Sequence, residues 1–321
     1  MEKRAVKKFK NVLVIGIGTN VSHVLESFRK IKGPNVDIML MDSDAASLIH
    51  KQADKKFLMG KRLTKGLGTA ANPRIGEETA LENQDELEPF LEGYDLIVII
   101  TFLGGGMGSG AAHVISKIAK KLNKKKVVIG IATLPFAEEG RIRIESALYG
   151  LEKFSRSCDL TIVIPISKVF EMLPSKSIND AFKLSDSIIL DILDTLIKVY
   201  AEPNIFHIGE KKIREFFLSG DIAMIGIGSS DDFLDPVRLA IIDSLKSPLL
   251  DMDLKCADAL LLIVEGADVS RSEIRRVIPI IEEKFDQGTE IIFGHLIDYD
   301  LENTVRAISI VKGKFSYSYI R

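Results

Sequence analysis

Short, almost uniformly apolar runs alternate with longer stretches of helical periodicity through the first half of the chain. Asn11–Gly16, Val36–Met41, Tyr94–Thr101, Val127–Thr133 and Leu160–Pro165 read as strands buried on both faces, and amphipathic helical patterns fill most of the intervals. That order predicts a parallel sheet covered on both sides, with ligands at the carboxyl ends of its strands. From Ser177 to Tyr200 the residues Ile178, Phe182, Ile188, Ile189, Ile192, Leu193, Leu196 and Ile197 recur at helical spacing, with no Gly or Pro before Pro203. The spacing predicts one helix of roughly 36 Å from the rise per residue. The pattern then restarts: a strand at Ile222–Ile227, a helix near Asp235–Leu245, a strand at Ala259–Val264, a helix after Ser270, and strands near Glu290–Phe293 and Ala307–Val311.

The predicted organisation is a basic arm over 1–10, a first α/β domain over 11–176, a connecting helix over 177–203, a smaller α/β domain over 204–312 and a tail over 313–321. No Pro- or Ser-rich linker separates the halves, so the helix is expected to join them rigidly. With 321 residues, 46% hydrophobic and 27% charged, the chain is long and apolar enough for such a core. A net charge of −2 is no general reason to expect nucleic acid, and the arm MEKRAVKKFK reads most simply as a solvated terminus. Two cysteines, Cys158 and Cys256, and five scattered histidines form neither a disulfide framework nor a metal-ligand cluster, which fits a reducing, cytoplasmic setting. No signal-like or membrane-spanning apolar run occurs, so direct membrane insertion is not expected.

The most informative stretch is Phe102-Leu-Gly-Gly-Gly-Met-Gly-Ser-Gly-Ala-Ala112, between the strand ending at Thr101 and a helix with Ile115, Ile118 and Ala119 on one face. Glycines remove the β-carbons that block close approach, so backbone N–H groups can turn toward one anion with the helix dipole behind them. Ser109 adds a hydroxyl donor or helps to cap the helix. The loop is not of the Walker type, because no Gly-Lys-Ser/Thr follows.

GGGMGSG resembles the tubulin/FtsZ signature GGGTGTG, with Met107 and Ser109 in place of threonines. Three further segments agree in order and spacing. Leu63-Thr-Lys-Gly-Leu-Gly-Thr-Ala-Ala-Asn-Pro-Arg-Ile-Gly76 resembles the FtsZ loop that closes on the terminal phosphate. Thr133-Leu-Pro-Phe-Ala-Glu-Glu-Gly-Arg-Ile-Arg143 resembles its ribose and phosphate loop, and Ser247-Pro-Leu-Leu250 with Asp253-Leu resembles a second-domain segment. The resemblance runs from about residue 10 to residue 312. It implies a tubulin/FtsZ-like α/β fold, GTP or GDP as ligand, Mg²⁺ bound through the nucleotide, and head-to-tail self-association into protofilaments.

By that resemblance, Gly104, Gly105, Gly106, Met107, Gly108, Ser109 and Gly110 hold the α- and β-phosphates. Gly16, Gly18 and Thr19 of the first strand–helix turn approach from the side. Asp42 and Asp44 lie near the nucleotide and its Mg²⁺, or else cap the next helix. Ala70, Ala71 and Asn72 meet the γ-phosphate through the backbone. Glu139 accepts from the ribose hydroxyls and Arg143 reaches phosphate or ribose, unless the two form a surface ion pair. Phe182 stacks on the base, beside Ile166 and Asp186. Gly106→Val is expected to block the phosphates and leave the fold intact.

Departures from the FtsZ pattern bear on activity. Val21 and His23 replace a Gly and an Asn of the first loop, with crowding of the phosphate side as the expected consequence. Ile166 stands for an Asn, and Asp186-Ser187 for Asn-Asp, which weakens the expected discrimination of guanine. In the family, an Asn-x-Asp-x-x-Asp loop of one subunit enters the nucleotide pocket of the next and positions the attacking water. Here the segment reads Pro203-Asn-Ile-Phe-His-Ile-Gly-Glu-Lys-Lys212, and Phe206, Gly209 and Lys212 occupy the positions of the acids in either register. Glu210 is the only nearby acid and the candidate substitute, with His207 a weaker one. Hydrolysis in homopolymers is therefore expected to be slow or absent, and co-assembly with a conventional FtsZ becomes a natural role, linked to cell division or cell shape. The chain stops at Phe315-Ser-Tyr-Ser-Tyr-Ile-Arg321, so tethering through a long C-terminal linker is not expected.

Two other readings are weighed. A degenerate relative without nucleotide would act as a scaffold. An NAD-dependent dehydrogenase draws on Gly16-Ile-Gly18 and Asp42, but Val21 stands where the fingerprint needs its third glycine.

Overall fold

The structure, a computed structural model, describes residues 10–123, 125–173, 177–201, 210–218 and 220–313. Among the described residues ten strands form one sheet: β1 (Val12–Ile17), β2 (Val36–Asp42), β3 (Lys55–Leu58), β4 (Leu96–Phe102), β5 (Val127–Leu134), β6 (Leu160–Pro165), β7 (Asp221–Ser230), β8 (Ala257–Gly266), β9 (Glu290–Ile297) and β10 (Val305–Gly313). Their order is β3-β2-β1-β4-β5-β6-β7-β10-β8-β9. The first six are parallel, and β6 meets β7 in parallel over Leu160↔Asp221 to Ile162↔Ala223. β10 then runs antiparallel to both β7 and β8, and β9 is a parallel edge strand on β8.

Helices cover both faces: α1 (Ser22–Phe28), α2 (Ala45–Ile49), α3 (Pro73–Glu82), α4 (Gln84–Leu91), α5 (Gly106–Leu122), α6 (Arg141–Ser155), α7 (Ile166–Glu171), α8 (Ile178–Ala201), α9 (Glu210–Phe217), α10 (Pro236–Leu245) and α11 (Arg271–Lys284). The unbroken apolar runs are explained by this double cover. Val12 and Val14 of β1 pack with α1 and α8, whereas Leu13, Ile15 and Ile17 pack with α4, α5 and α6. Neither set is left to water, so neither needs to be polar. β3 lies outside the expected strands because its sequence, KKFL, buries only Phe57 and has no apolar run to betray it.

α8 has 24 residues and packs its apolar face on both halves of the sheet. Ile189, Ile192 and Leu196 share one core with Val14 and Ile100 of the first half and with Ile225, Ile263 and Ile310 of the second. Polar contacts fix the register. Arg306 on β10 binds Asp191 of α8 at 2.6 Å and also the fully buried Glu265 of β8, which accepts from Thr195 at 2.8 Å. A buried carboxylate is tolerable only with such partners.

α5 is buried along most of its length despite three glycines in its first five residues. Glycines on both sides of the contacts let neighbouring helices touch its backbone: a Cβ on Gly110 of α5 would lie 2.0 Å from Pro73 O of α3, one on Gly76 of α3 would lie 2.1 Å from Gly106 O, and one on Gly150 of α6 would lie 2.6 Å from Ser109 Cα. The loss of helix propensity is offset by backbone-to-backbone packing. β1 lies between β2 and β4, so the turn after β1 and the loop after β4 stand side by side at the point where the strand order reverses. An open parallel sheet places its ligand crevice there.

Candidate nucleotide site

At the end of β4 the chain turns through Gly104, whose φ of +103° suits glycine, and enters α5 with Gly105 as N-cap. Leu103 N donates to Thr133 O at 3.1 Å, and Gly104 N donates to Ser109 Oγ at 2.8 Å. Ser109 is therefore a lock that holds the loop against its own helix, and not a cap. The amides of Gly106, Met107 and Gly108 belong to the first helical turn and have no acceptor within the helix. These three residues, with Gly105, line a cavity of about 300 Å³. Met107 directs its side chain into the core and is 5% exposed, so its substitution for threonine leaves the cavity a backbone surface.

The glycines of the loop do different work. A Cβ on Gly105 would meet nothing within 4 Å, whereas one on Gly106 would lie 2.2 Å from Thr69 Oγ1 and 2.8 Å from Asn72 N. On Gly108 it would lie 2.4 Å from Phe102 O, and on Gly110 2.0 Å from Pro73 O. The expectation that Gly106→Val leaves the fold intact is thus corrected: Gly106 is a packing position, and Gly105 is the one open to the cavity.

The second wall is the turn after β1. Gly18, with φ +87°, donates its N–H to Met41 O at 2.9 Å. Thr19 N donates to Asp42 Oδ2 at 2.6 Å, and Ser43 N and Asp44 N donate to Oδ1 at 2.6 and 3.2 Å. Asp42 thereby pins this turn to the end of β2. Asp44 caps α2, accepting from Ser47 N at 3.0 Å and Ser47 Oγ at 2.9 Å, and the backbone bond first and then the hydroxyl bond hold its carboxyl below the usual range. Both acids line the cavity but are already committed to N–H or O–H donors. Gly16 is placed elsewhere than expected. It lies inside β1, where a Cβ would come within 2.5 Å of Leu25 and Val21 side chains, so it makes room for α1 and does not line the cavity. Val21 is fully buried beneath it and does not crowd the phosphate side.

Ala70 and Ala71 form the third wall with φ of +47° and +59°. Two successive left-handed non-glycine residues are strained by roughly 1–2 kcal/mol each, and the flanking structure compels them. Gly68 N donates to Ser43 O on one side, and on the other Asn72 N donates to Thr69 O at 2.9 Å while its side chain caps α3 through Arg74 N at 3.0 Å. Asn72 thus holds the loop from behind.

A larger cavity, about 650 Å³, adjoins the first through Thr19, Asn20 and Phe102. Glu139, Arg143, Ile166, Phe182 and Asp186 all line it. Glu139 and Arg143 form an ion pair at 2.6 Å, and Glu139 also accepts from Phe136 N at 2.9 Å. Arg143 packs across Gly104, where a Cβ would be 2.8 Å from its Cγ, so the pair ties this loop to the phosphate loop. Phe182 is 41% exposed and meets Phe136 edge-on with centroids 6.2 Å apart, which leaves it available for stacking. Burial pushes the Asp186 carboxyl up to about 6, with His23 opposing the shift. His23, Ser47, His50 and Lys51 also line this cavity. His23 was expected beside the phosphates and lies in this larger cavity; Ser47, His50 and Lys51 were not expected there, because they lie on or just after the short α2, which carries no recognisable motif.

Phe206, His207 and Gly209 lie outside the described residues. Glu210 opens α9, its side chain likewise outside the description, and Lys212 is exposed on that helix. Among the described residues no group of three or more His, Cys, Asp and Glu is arranged to hold a metal by itself, and no helix is long and apolar enough to cross a membrane.

The GTPase-domain model of the Tubulin/FtsZ family matches residues 11–174, and the C-terminal-domain model of the FtsZ family matches residues 221–314. The chain is 36% identical over 302 residues to the cell division protein FtsZ 1 of Thermococcus kodakarensis, covering 94% of this chain and 80% of that protein. It superposes on an empty FtsZ dimer structure from M. jannaschii with a TM-score of 0.88 at 33% identity, over 96% of this chain and 89% of the other. A GTPγS-bound protofilament of CetZ2 from Haloferax volcanii shares the fold, with a TM-score of 0.80 at 20% identity over 97% and 96% of the two chains.

Proposed function

The chain belongs to the tubulin/FtsZ family, and on that premise we propose that its two joined cavities take one molecule of GTP or GDP and that copies stack head to tail into filaments. The observation that carries this reading is the row of first-turn amides at Gly106, Met107 and Gly108. They border a β-carbon-free opening at Gly105, next to a cavity with an exposed Phe182 and the half-buried Asp186. Amides aimed at an anion with a helix dipole behind them bind phosphate without a lysine. Gly18 and Thr19 close the phosphate end, and Ala70 and Ala71 offer backbone to the terminal phosphate. Glu139 accepts from ribose, Phe182 stacks on the base, and Asp186 accepts from the ring N–H and amino groups of guanine.

Mg²⁺ is held in this reading through the nucleotide's phosphates, since Asp42 and Asp44 are engaged with the protein's own donors. Residues 11–176 carry the nucleotide, 177–203 the connection and 204–312 the surface that meets the next copy. A cytoplasmic location accompanies this role, in cell division or cell shape. With Phe206, Gly209 and Lys212 in place of the acids that orient water, homopolymers hydrolyse GTP slowly and Glu210 is the remaining candidate. The missing acids also favour a second reading, co-assembly with a conventional FtsZ whose filament this chain extends or ends.

The test is to release bound nucleotide for chromatography and to follow GTP binding, phosphate release and pelletable polymer together in Mg²⁺ buffer. Bound GTP or GDP with little phosphate release is expected. An empty site at saturating GTP overturns the nucleotide reading in favour of a scaffold, and brisk release on polymerisation overturns the slow-hydrolysis part alone.

A further inference from the structure

Two surface features of the second half of the chain are unfavourable as they stand, and each supplies what the other lacks. The first is the loop after β7. Phe233 is 97% exposed and Leu234 86% exposed. They are not on a slack segment. Asp232 accepts from Leu234 N and Asp235 N at 2.9 Å each, Asp232 N donates to Ser230 Oγ at 3.2 Å, and Asp235 binds Arg238 at 2.5 Å. Asp232 thus builds a turn that presents an aromatic and an aliphatic side chain to water, flanked by Asp231, Asp232 and Asp235. Two large apolar residues held out in a fixed loop are a poor surface for a monomer and a good anchor for a partner.

The second feature is a groove between α11 and the edge strand β9. Two adjoining cavities of about 290 and 210 Å³ share Arg271 and Ile274. Ile278 and Phe293 line the first, with Arg275 on its rim, and Ile297 lines the second beside Asp268. Ile278 is 39% exposed and Ile297 49%. Arg271 and Arg275 lie at the N-terminal end of α11, where the helix dipole disfavours cations, and four residues apart, where like charges repel. Among the described residues neither is paired with an acid. An acidic partner would relieve both penalties while its apolar side chains fill the groove.

We propose that the Phe233–Leu234 loop of one copy docks in the α11–β9 groove of a second copy, with Asp231 meeting the arginine rim. The loop and the groove belong to opposite flanks of the second half of the sheet, since β10 and β8 separate β7 from β9. Three strand spacings put those flanks roughly 14 Å apart, and the near-complete exposure of Phe233 excludes docking within its own chain. The contact is proposed to run one way, one loop into one groove, which makes it heterologous, so that it repeats from copy to copy and does not close as a two-fold pair. It would join neighbouring filaments, or single copies, independently of nucleotide.

Sedimentation velocity of the full chain without nucleotide tests this, with Phe233→Asp and Ile278→Asp as variants and thermal unfolding as the check that both fold. The wild type is expected to form species beyond a dimer as concentration rises, and each variant to associate about tenfold or more weakly, as for loss of a central anchor. An equimolar mixture of the two retains one intact loop and one intact groove, so it is expected to form pairs and nothing longer. Arg275→Glu is expected to weaken association and to be rescued by adding Asp231→Arg. Variants that associate as the wild type does, a wild type that stays monomeric, or a mixture no better than its components would each overturn the proposal. An empty nucleotide site would leave it untouched.

Discussion

Lys153 of α6 and Glu77 of α3 form an ion pair of 2.7 Å, and Tyr149 donates to the same carboxylate oxygen at 2.8 Å. α3 begins at the cap of the Ala70–Ala71 loop and α6 begins beside Arg143, so this contact connects the two loops that flank the phosphate loop. Burial alone would raise the Glu77 carboxyl, but the bonds from Lys153 and Tyr149 outweigh it and bring the carboxyl down to about 2. His113 lies 3.3 Å from the other oxygen and adds to the lowering of the Glu77 carboxyl, while burial lowers the imidazole's own pKa.

A carboxylate with a depressed folded pKa stabilises the fold above its unfolded value and loses that contribution as pH falls through the folded one. For Glu77 the window runs from 4.5 down to about 2. Glu77→Gln is expected to lower stability near neutral pH by at most roughly 3 kcal/mol. The gap to the wild type should narrow as urea titrations move from about pH 6 toward about pH 3. A gap independent of pH would mean that Glu77 acts by packing.

Gly105→Val and Gly106→Val are expected to separate binding from folding. At Gly105 the new side chain enters open space where phosphate would lie, so GTP affinity should fall by about tenfold or more with little change in melting temperature. At Gly106 it meets Thr69 and Asn72 and should cost roughly 1–3 kcal/mol of stability. Calorimetric binding and thermal unfolding of both variants provide the comparison.

Asp186, with a carboxyl pushed up to about 6, can accept from both guanine donors only when ionised. GTP affinity is therefore expected to weaken as pH falls through about 6, and Asp186→Asn to remove that dependence. A wild-type titration that stays flat over this range would exclude Asp186 from base recognition.

Asp44→Ala is expected to cost about 1 kcal/mol through loss of the α2 cap, with the Mg²⁺ dependence of GTP binding unchanged. A shift in that dependence would instead make Asp44 a metal ligand.

Placing acids with Phe206→Asp and Gly209→Asp is expected to raise GTP turnover only under conditions that pellet polymer, because in the proposed head-to-tail stacking they would act on the next subunit's nucleotide. Glu210→Gln should abolish residual turnover if that residue is the substitute. Phosphate release against pelleted protein reads both.

The sequence by itself determined most of the elements and the order in which they occur, because strands covered on both faces must be uniformly apolar and a long helix must repeat at its own period. It also located the glycine loop that enters α5, since a strand followed by glycines and a helix leaves several backbone amides free to turn toward one anion. It did not reveal β3, whose four residues bury one side chain, nor the lining of the larger cavity by Ser47, His50 and Lys51, which carry no pattern of their own. Only the tertiary structure decided between roles that one residue type can fill. Asp44 became a cap and Asp42 a pin because particular amides stand opposite their oxygens. Gly106 became a packing position and Gly105 an opening because α3 crosses α5 at one residue and not at its neighbour. Such choices depend on distances between segments far apart in the chain, which local periodicity does not carry.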